Sequence, residues 1–310
     1  MTTLSRPRIR VPLRAATLSA ALLLAGCSSA EPAVDPAAVE QHGGDVEGGE
    51  SQHSEGQHDG GDAVTLPSAH VHGVAVNPAD GQVHLATHDG LFRFEESGPV
   101  RVGPVIDLMG FTVAGPDHFY ASGHPGPGVD LPQPVGLIET TDGGRTWQAL
   151  SRQGESDFHA LAASAGGVVG FDGTLRFSSD GTTWNVLQTP VKPYAVAASP
   201  DGAVLLVTSE AGPARSTDAG ITWSVLQEAP LLQLVDWADG ATVAGVSPEG
   251  TVAMSTDAGA TWSVRGRVTG APQAVGADLQ PDGSMRLLVV TEEGVHESRD
   301  GGASFSPVPL

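Results

Sequence analysis

An eight-residue motif that recurs five times is the strongest constraint on how this chain can fold. It reads Ser-Thr-Asp-Ala-Gly-Ala-Thr-Trp at residues 255–262, and variants of it occupy residues 140–147, 178–184, 216–223 and 298–305. Its aspartates lie 38 to 43 residues apart and are Asp142, Asp180, Asp218, Asp257 and Asp300. A period of about 40 residues built from short strands and Gly-rich turns predicts a β-propeller with one four-stranded blade per repeat.

The residue types of the motif predict a structural role for it. An Asp in a tight turn accepts hydrogen bonds from backbone N–H groups two or three residues later, and the preceding Ser or Thr adds a hydroxyl to the same network. Gly supplies the positive φ that such a turn requires. The aromatic residue then begins the next strand and packs on the blade; in successive copies it is Trp147, Trp184, Trp223, Trp262 and Phe305.

From about residue 70 the chain divides into six units, each with three strands, a motif turn and a fourth strand; the first unit lacks the motif. The predicted inner strands are 71–76, 108–113, 159–163, 194–198, 232–237 and 273–277. Many are continuous Val, Ala and Leu runs, as expected for sheets packed on both faces. The sequence therefore predicts an all-β, six-bladed propeller over residues 63–310, and a seventh blade would need a further unit that we do not find.

The first 26 residues have the pattern of an export signal. Four arginines precede an apolar run at residues 15–25, which is too short to span a bilayer as a helix. The run ends in Leu-Ala-Gly before Cys27, the only cysteine of the chain. This arrangement resembles the lipobox of bacterial lipoproteins. The resemblance implies cleavage before Cys27, a lipid on that residue, and a location on the extracytoplasmic face of the cell membrane; an ordinary signal peptide with an incidental cysteine is the alternative.

Residues 27–62 are predicted to form a disordered tether. The segment has no Lys or Arg and is rich in Gly, Glu, Asp, Gln and His, so it cannot bury enough apolar surface to offset the cost of ordering its backbone. The whole chain contains 36 acidic and 15 basic residues. This balance argues against nucleic acid as a partner and favours solubility or the binding of cations.

The strand order of a blade predicts which loops share a face. The motif turns lie on one face, whereas the starts of the inner strands and the turns between second and third strands lie on the other, where propellers usually bind ligands. Alignment of the six units places one residue at the start of each inner strand, namely His72, Met109, His159, Tyr194, Gln233 and Gln273. The neighbouring turns bring His88 and His124 to this face, and His70 lies two residues before His72. A Pro/Gly-rich insertion at 122–136 is predicted to form one wall there.

These side chains predict a binding site at the centre of the ligand face. Histidine and thioether ligands suit copper, and histidine with carboxylate suits zinc. The candidate metal ligands are His72, His159 and Met109, with His70, His88 or His124 completing the set. The alternatives are structural, because His88 could shape a turn, His72 could be a buried imidazole and Met109 could fill the core.

The five motif copies resemble the Asp-box of the bacterial neuraminidase repeat (BNR), or sialidase, superfamily, with sortilin and YVTN-type propellers as relatives. Within it the chain looks most like bacterial lipoproteins that are loosely called glycosyl hydrolases. The resemblance covers residues 70–310. True sialidases hold the substrate carboxylate with an arginine triad and use a Tyr–Glu nucleophile pair. Here the arginines lie mostly in or beside the motifs, and no Arg-Ile-Pro sequence follows the signal. Sialidase activity is therefore not expected.

Two other functions fit the sequence. A different glycosidase would need two carboxylates about 5–9 Å apart, and its candidates are Asp107, Asp157, Asp172, Glu210, Glu249 and Glu293. A propeller that docks an envelope protein would instead present a large apolar or charged patch. The preferred prediction is a membrane-anchored, extracytoplasmic propeller that binds a small ligand, a glycan or a copper or zinc ion through the His-rich centre of its ligand face.

Overall fold

In a computed structural model the chain forms six four-stranded antiparallel sheets, which confirms the predicted six-bladed, all-β propeller. The structure describes residue 66, residue 68 and residues 70–308. The predicted signal peptide, Cys27 and the tether up to residue 62 lie outside the described residues. Among the residues described, no helix is long and apolar enough to cross a membrane.

Each sheet consists of four strands that are consecutive in the chain, so each blade is one unit of the sequence repeat. Blades 1 to 3 contain β1 (Val71–Val76), β2 (Val83–Thr87), β3 (Gly90–Glu95), β4 (Gly98–Val102); β5 (Ile106–Gly115), β6 (His118–Pro125), β7 (Leu137–Thr140), β8 (Gln148–Ser151); and β9 (Ala160–Ser164), β10 (Gly167–Phe171), β11 (Leu175–Ser178), β12 (Asn185–Val186). Blades 4 to 6 contain β13 (Val196–Ala198), β14 (Leu205–Val207), β15 (Ala214–Ser216), β16 (Ser224–Val225); β17 (Leu234–Trp237), β18 (Val243–Val246), β19 (Thr251–Ser255), β20 (Ser263–Arg267); and β21 (Pro272–Leu279), β22 (Met285–Thr291), β23 (Gly294–Ser298), β24 (Ser306–Pro307).

The inner strands lie within a few residues of their predicted positions. The largest difference is in blade 2, where β5 extends over ten residues and pairs with an eight-residue β6. Two irregularities in the register of this pair, at Leu108/Gly110 and at Val113/Gly115, let the hairpin continue beyond the apolar segment that the sequence pattern detects.

The hydrophobic core lies between successive blades. Leu85 of blade 1, Phe119 of blade 2 and Phe158, which precedes blade 3, are completely buried, and each belongs to a cluster that joins two neighbouring sheets. The continuous apolar strands therefore bury side chains on both faces of each sheet, as their sequences predict.

Side-chain packing closes the ring between the first and the last blade. No strand is shared between them; instead Val71, Val74 and Leu85 of blade 1 pack with Leu288 and Val290 of blade 6. A hydrogen bond also spans this seam: the Val71 backbone N–H donates to Oε1 of Gln273 over 2.8 Å.

Each repeated motif forms a hydrogen-bonded turn after the third strand. In blade 4 the Ser216 hydroxyl donates to Oδ1 of Asp218 over 2.8 Å and accepts from the Gly220 N–H, also over 2.8 Å. Asp218 accepts further bonds from the backbone N–H and the hydroxyl of Thr222. The indole of Trp223 then donates to the Gly220 carbonyl oxygen over 3.1 Å. Nearly the same bonds recur around Asp257.

These hydrogen bonds favour the ionised aspartates. The bonds from Thr222 lower the pKa of Asp218 to about 2, and those from Thr261 lower the pKa of Asp257 to about 2. A carboxylate whose folded-state pKa is depressed stabilises the fold above its unfolded pKa of about 3.9, and the contribution is lost as the pH falls towards 2. The motif turns therefore favour the folded state at neutral pH and weaken in acid.

The motif of blade 4 carries a strained residue that a substitution should relieve. Ala219 is exposed and has a φ of 55°, in the left-handed region that costs a residue with a Cβ about 1–2 kcal/mol. Ala219→Gly should therefore stabilise the protein by about 1 kcal/mol, measured as the free energy of unfolding in urea.

The matched control is Ala260→Gly, because Ala260 is an exposed residue of the next motif that does not have a positive φ. There glycine should cost about 0.5–1 kcal/mol, since it only adds conformational freedom to the unfolded chain. Equal effects of the two substitutions would contradict the assignment of strain to Ala219.

Candidate functional site

The six inner strands surround a central channel of about 920 Å³. One residue from each blade lies where an inner strand begins, and together we call them the mouth residues: His72, Met109, His159, Tyr194, Gln233 and Gln273. In blades 1, 2 and 6 the pairing register between the first and second strands passes over the mouth residue, as in a β-bulge. In the other three its backbone N–H donates to a carbonyl oxygen of the second strand or of the residue that follows it. The channel mouth is therefore built by equivalent positions of all six blades.

The two imidazoles of blade 1 face each other at the mouth. Nε2 of His72 lies 3.2 Å from Nε2 of His88. His88 follows β2 in a tight turn in which the buried Thr87 hydroxyl donates to the Gly90 carbonyl oxygen and accepts from the Asp89 N–H. This turn holds the His88 ring towards the channel mouth.

Asp107 connects blade 1 to blade 2. Its Oδ1 lies 2.6 Å from Nδ1 of His88, and its Oδ2 lies 3.5 Å from Nδ1 of His124. Asp107 and His124 are cross-strand partners in the β5–β6 hairpin, so the strand register itself places them together. Because the carboxylate accepts the Nδ1–H of His88, Nε2 of that ring is left with its lone pair directed at His72.

A second carboxylate extends the network into blade 3. Oδ2 of Asp157 lies 3.4 Å from Nε2 of His124 and 3.0 Å from Nε2 of His159. Asp157 and His159 flank Phe158, which is fully buried and whose N–H donates to the Ser122 hydroxyl over 3.0 Å. The anchored Phe158 thus fixes both polar neighbours at the rim of the channel.

The electrostatics differ between the two ends of this network. Burial, and then the proximity of His88, lower the pKa of His72, so His72 is neutral at physiological pH. The hydrogen bond to Asp157 raises the pKa of His159. Burial opposes the ionisation of Asp157, but the hydrogen bond from His159 and the nearby imidazoles outweigh it and lower the pKa of Asp157. His72 is therefore in the neutral form, which is the form that binds metals.

The ligand atoms of His72, His88 and Asp107 all lie within 4.8 Å of one another, so this cluster could hold a metal ion. Two imidazole nitrogens bound to a tetrahedral ion at 2.0–2.1 Å lie about 3.3 Å apart. The separation of 3.2 Å between the Nε2 atoms of His72 and His88 matches this distance. Without an ion, the His72 Nε2–H would donate to Nε2 of His88; binding of a metal to Nε2 of His72 would require the tautomer that carries this proton on Nδ1.

The remaining predicted ligands lie around this cluster. The ring of His70 packs edge-on against His88, with 5.5 Å between ring centroids. Met109 and His159 line the same channel from blades 2 and 3, and His124 lies between the two carboxylates. The sequence placed these histidines on one face, but it did not identify Asp107 and Asp157 as the groups that connect them.

Not all the histidines of the propeller gather on the ligand face. Nε2 of His118 lies 2.7 Å from Oε1 of Glu139, and Nε2 of His296 lies 3.0 Å from the Thr291 hydroxyl. His84 is buried within the second strand β2, with its ring 5.3 Å from that of Phe119.

The insertion at residues 122–136 is ordered and borders the site. The Val135 N–H donates to the Gly123 carbonyl oxygen over 2.9 Å, and the side chain of Val135 is completely buried. The Gly126 N–H donates to the Val105 carbonyl oxygen over 3.1 Å. The insertion is therefore fixed on blade 2, and it carries His124, which lies 3.5 Å from Asp107 and 3.4 Å from Asp157.

The carboxylates proposed for glycoside hydrolysis have other roles in the structure. Asp172 pairs with Arg176 at 3.0 Å and with Arg152 at 3.8 Å, and Asp107 and Asp157 belong to the imidazole network. One acid that the sequence analysis did not select, Asp236, lines the channel, and burial raises its pKa to about 7. It was recognisable in the sequence as the single charged residue of an apolar inner strand.

No protein-family model and no curated protein matches the sequence, but solved structures share the fold. The GH74 xyloglucanase of Xanthomonas campestris aligns with a TM-score of 0.55 and 18% identity, over 77% of this chain and 38% of that enzyme. A structure of a nidogen/laminin complex aligns with a TM-score of 0.57 and 14% identity, over 72% of this chain and 91% of the matched chain. At these identities the likeness shows the propeller fold alone, and the chain spans little more than a third of the xyloglucanase.

Proposed function

We propose that this protein is an extracytoplasmic propeller that binds one copper or zinc ion at the mouth of its central channel. Nε2 of His72 and Nε2 of His88 would hold the ion. The observation that carries the proposal is the 3.2 Å separation of these two atoms, which is the spacing of adjacent ligands on a tetrahedral metal.

Asp107 would orient the site by holding His88. A carboxylate on the distal nitrogen of a metal-bound imidazole fixes the tautomer and increases the basicity of the ligand, and the 2.6 Å contact of Asp107 with Nδ1 supplies this arrangement. Only two protein ligands are preorganised, so the ion would keep coordination positions that face the channel. Imidazole ligands suit both zinc and copper, and the thioether of Met109 on the same rim favours copper in its reduced state.

The membrane location is part of the same proposal and rests on the sequence. The lipobox-like segment before Cys27 and the acidic segment that follows it would attach the propeller to the outer surface of the membrane at the end of a tether. The recurrent motif supports placing the chain beside the Asp-box propellers of the sialidase superfamily. The imidazole network offers no arginine triad, so the proposed activity is metal binding and not sialic acid hydrolysis.

The metal site can be tested by titrating the mature chain, with Cys27→Ser to keep it free of lipid, with zinc and with copper in a calorimeter. We expect one ion per chain with a dissociation constant below micromolar. Replacing both His72 and His88 with Ala should weaken this binding at least 100-fold, and Asp107→Asn should weaken it about 10-fold to 100-fold.

The matched control is His118→Ala, because His118 pairs with Glu139 away from the mouth and should leave the affinity unchanged. Binding that survives in the His72/His88 double variant would reflect the histidines of the tether. Equal affinities of the parent chain and the double variant would contradict the proposed site.

Lipid attachment can be tested in a bacterium that is fed a radiolabelled fatty acid. We expect the full-length chain to take up the label and to fractionate with membranes, whereas Cys27→Ala should do neither because it lacks the thiol that accepts the lipid. Label on the Cys27→Ala chain, or a soluble and unlabelled parent chain, would contradict the proposed anchor.

A further inference from the structure

The two halves of the channel mouth differ in chemistry. Blades 1 to 3 contribute His72, Met109 and His159, whereas blades 4 to 6 contribute Tyr194, Gln233 and Gln273. The first half carries the imidazoles of the proposed metal site and two carboxylates, whereas the mouth residues of the second half are neutral hydrogen-bonding groups. Because the mouth residues are equivalent positions of a six-bladed ring, blade 4 lies opposite blade 1.

The only lysine of the sequence lies in this second half. Lys192 is exposed, lines the channel two residues before Tyr194, and forms no ion pair with any residue that the structure describes. The chain around it is fixed, because the Tyr194 N–H donates to the Thr208 carbonyl oxygen over 2.8 Å and the Ala195 N–H donates to the Thr208 hydroxyl over 3.0 Å. The backbone beside Lys192 is therefore fixed at the channel of a protein whose net charge is −21.

The neighbouring phenol can donate a hydrogen bond to the same ligand. The Tyr194 hydroxyl accepts a hydrogen bond from Nε2 of Gln233 over 2.8 Å, which leaves its own proton to donate. The Tyr194 side chain is 58% exposed, so this proton is accessible from the mouth. Lys192 and Tyr194, two residues apart on the same channel wall, thus offer a charged and a neutral donor, the combination that binds a carboxylate.

The other charges on this face do not cancel the cation. Glu210, Glu249 and Glu293 lie in or beside the turns between second and third strands and are not part of the channel lining. Glu249 accepts from the Ser247 hydroxyl and Glu293 from the Thr269 hydroxyl. Beyond the mouth residues the channel wall consists largely of small apolar side chains such as Ala75, Ala163 and Ala198, which suit an aliphatic chain. The two acids of this wall already have partners, because Asp236 accepts from the Ala277 N–H and Asp278 pairs with Arg286 at 3.0 Å.

We propose that the channel mouth binds a small aliphatic dicarboxylate, with one carboxylate on the metal held by His72 and His88 and the other on Lys192 and Tyr194. This inference rests on the proposed metal site, since the ion supplies the positive charge in the first half and the open coordination positions. It adds a ligand class and two binding residues that metal coordination alone does not require.

The test uses the zinc-loaded mature chain, with Cys27→Ser, and calorimetric titration with succinate, adipate and suberate, whose lengths increase. One of these acids should bind with 1:1 stoichiometry, and its uncharged diamide should not. Lys192→Gln should weaken binding of the best acid about 10-fold, and Lys192→Arg should restore most of it because the charge is retained. Arg267→Gln is the matched control, since it removes an exposed positive charge from β20, outside the channel, and should change nothing.

The outcomes separate this inference from the metal site. Zinc bound by the parent chain without binding of any of the three acids would overturn the dicarboxylate site and leave the metal site intact. Equal binding of the acid to the parent and to Lys192→Gln, or to zinc-loaded and zinc-free protein, would also overturn it. Absence of zinc binding in the first titration would overturn both. Lys192 is exposed, so its variants should unfold at the temperature of the parent chain, which a melting curve verifies.

Discussion

The packing of each inner strand between two neighbouring blades is the constraint on which the rest of the structure depends. Most residues of the inner strands are apolar, and the register of each inner strand with the second strand determines which residue reaches the channel mouth. In blades 1, 2 and 6 that residue is skipped in the pairing, which turns it out of the ladder towards the axis. One sheet geometry, repeated six times, therefore brings side chains that are up to 201 residues apart in sequence to one rim.

The repeat explains why so much of the fold could be predicted from the sequence. The spacing of the motif aspartates defines the blades, and the motif turn marks the end of the third strand in blades 2 to 6, so the mouth residues follow from alignment of the units. The connections among them could not be predicted in the same way. Asp107 meets His88 across a blade boundary, and Asp157 meets both His124 and His159 because the buried Phe158 holds the loop that carries it. Such contacts depend on side-chain directions that the repeat pattern does not encode.

The two imidazoles of blade 1 are held in fixed positions, and the opposite side of the channel offers different hydrogen-bonding groups. The Thr87 turn and the Asp107 carboxylate hold His88, and burial keeps His72 neutral, so the two imidazoles are preorganised to share an ion. The opposite wall carries Lys192 and Tyr194 in an otherwise acidic protein. The six blades share one backbone geometry, yet they present different ligand groups on opposite sides of the channel. A binding site can thus be built on this fold without changing its architecture.

The most direct measurement of the central claim is a crystal structure of the mature protein grown with zinc, with diffraction data collected on both sides of the zinc absorption edge. The account predicts one strong anomalous peak at the channel mouth, about 2.0–2.1 Å from Nε2 of His72 and from Nε2 of His88, with Asp107 still on Nδ1 of His88. A peak located only elsewhere, for example beside His118 and Glu139, or two imidazoles still in direct hydrogen bond with no ion between them, would contradict it.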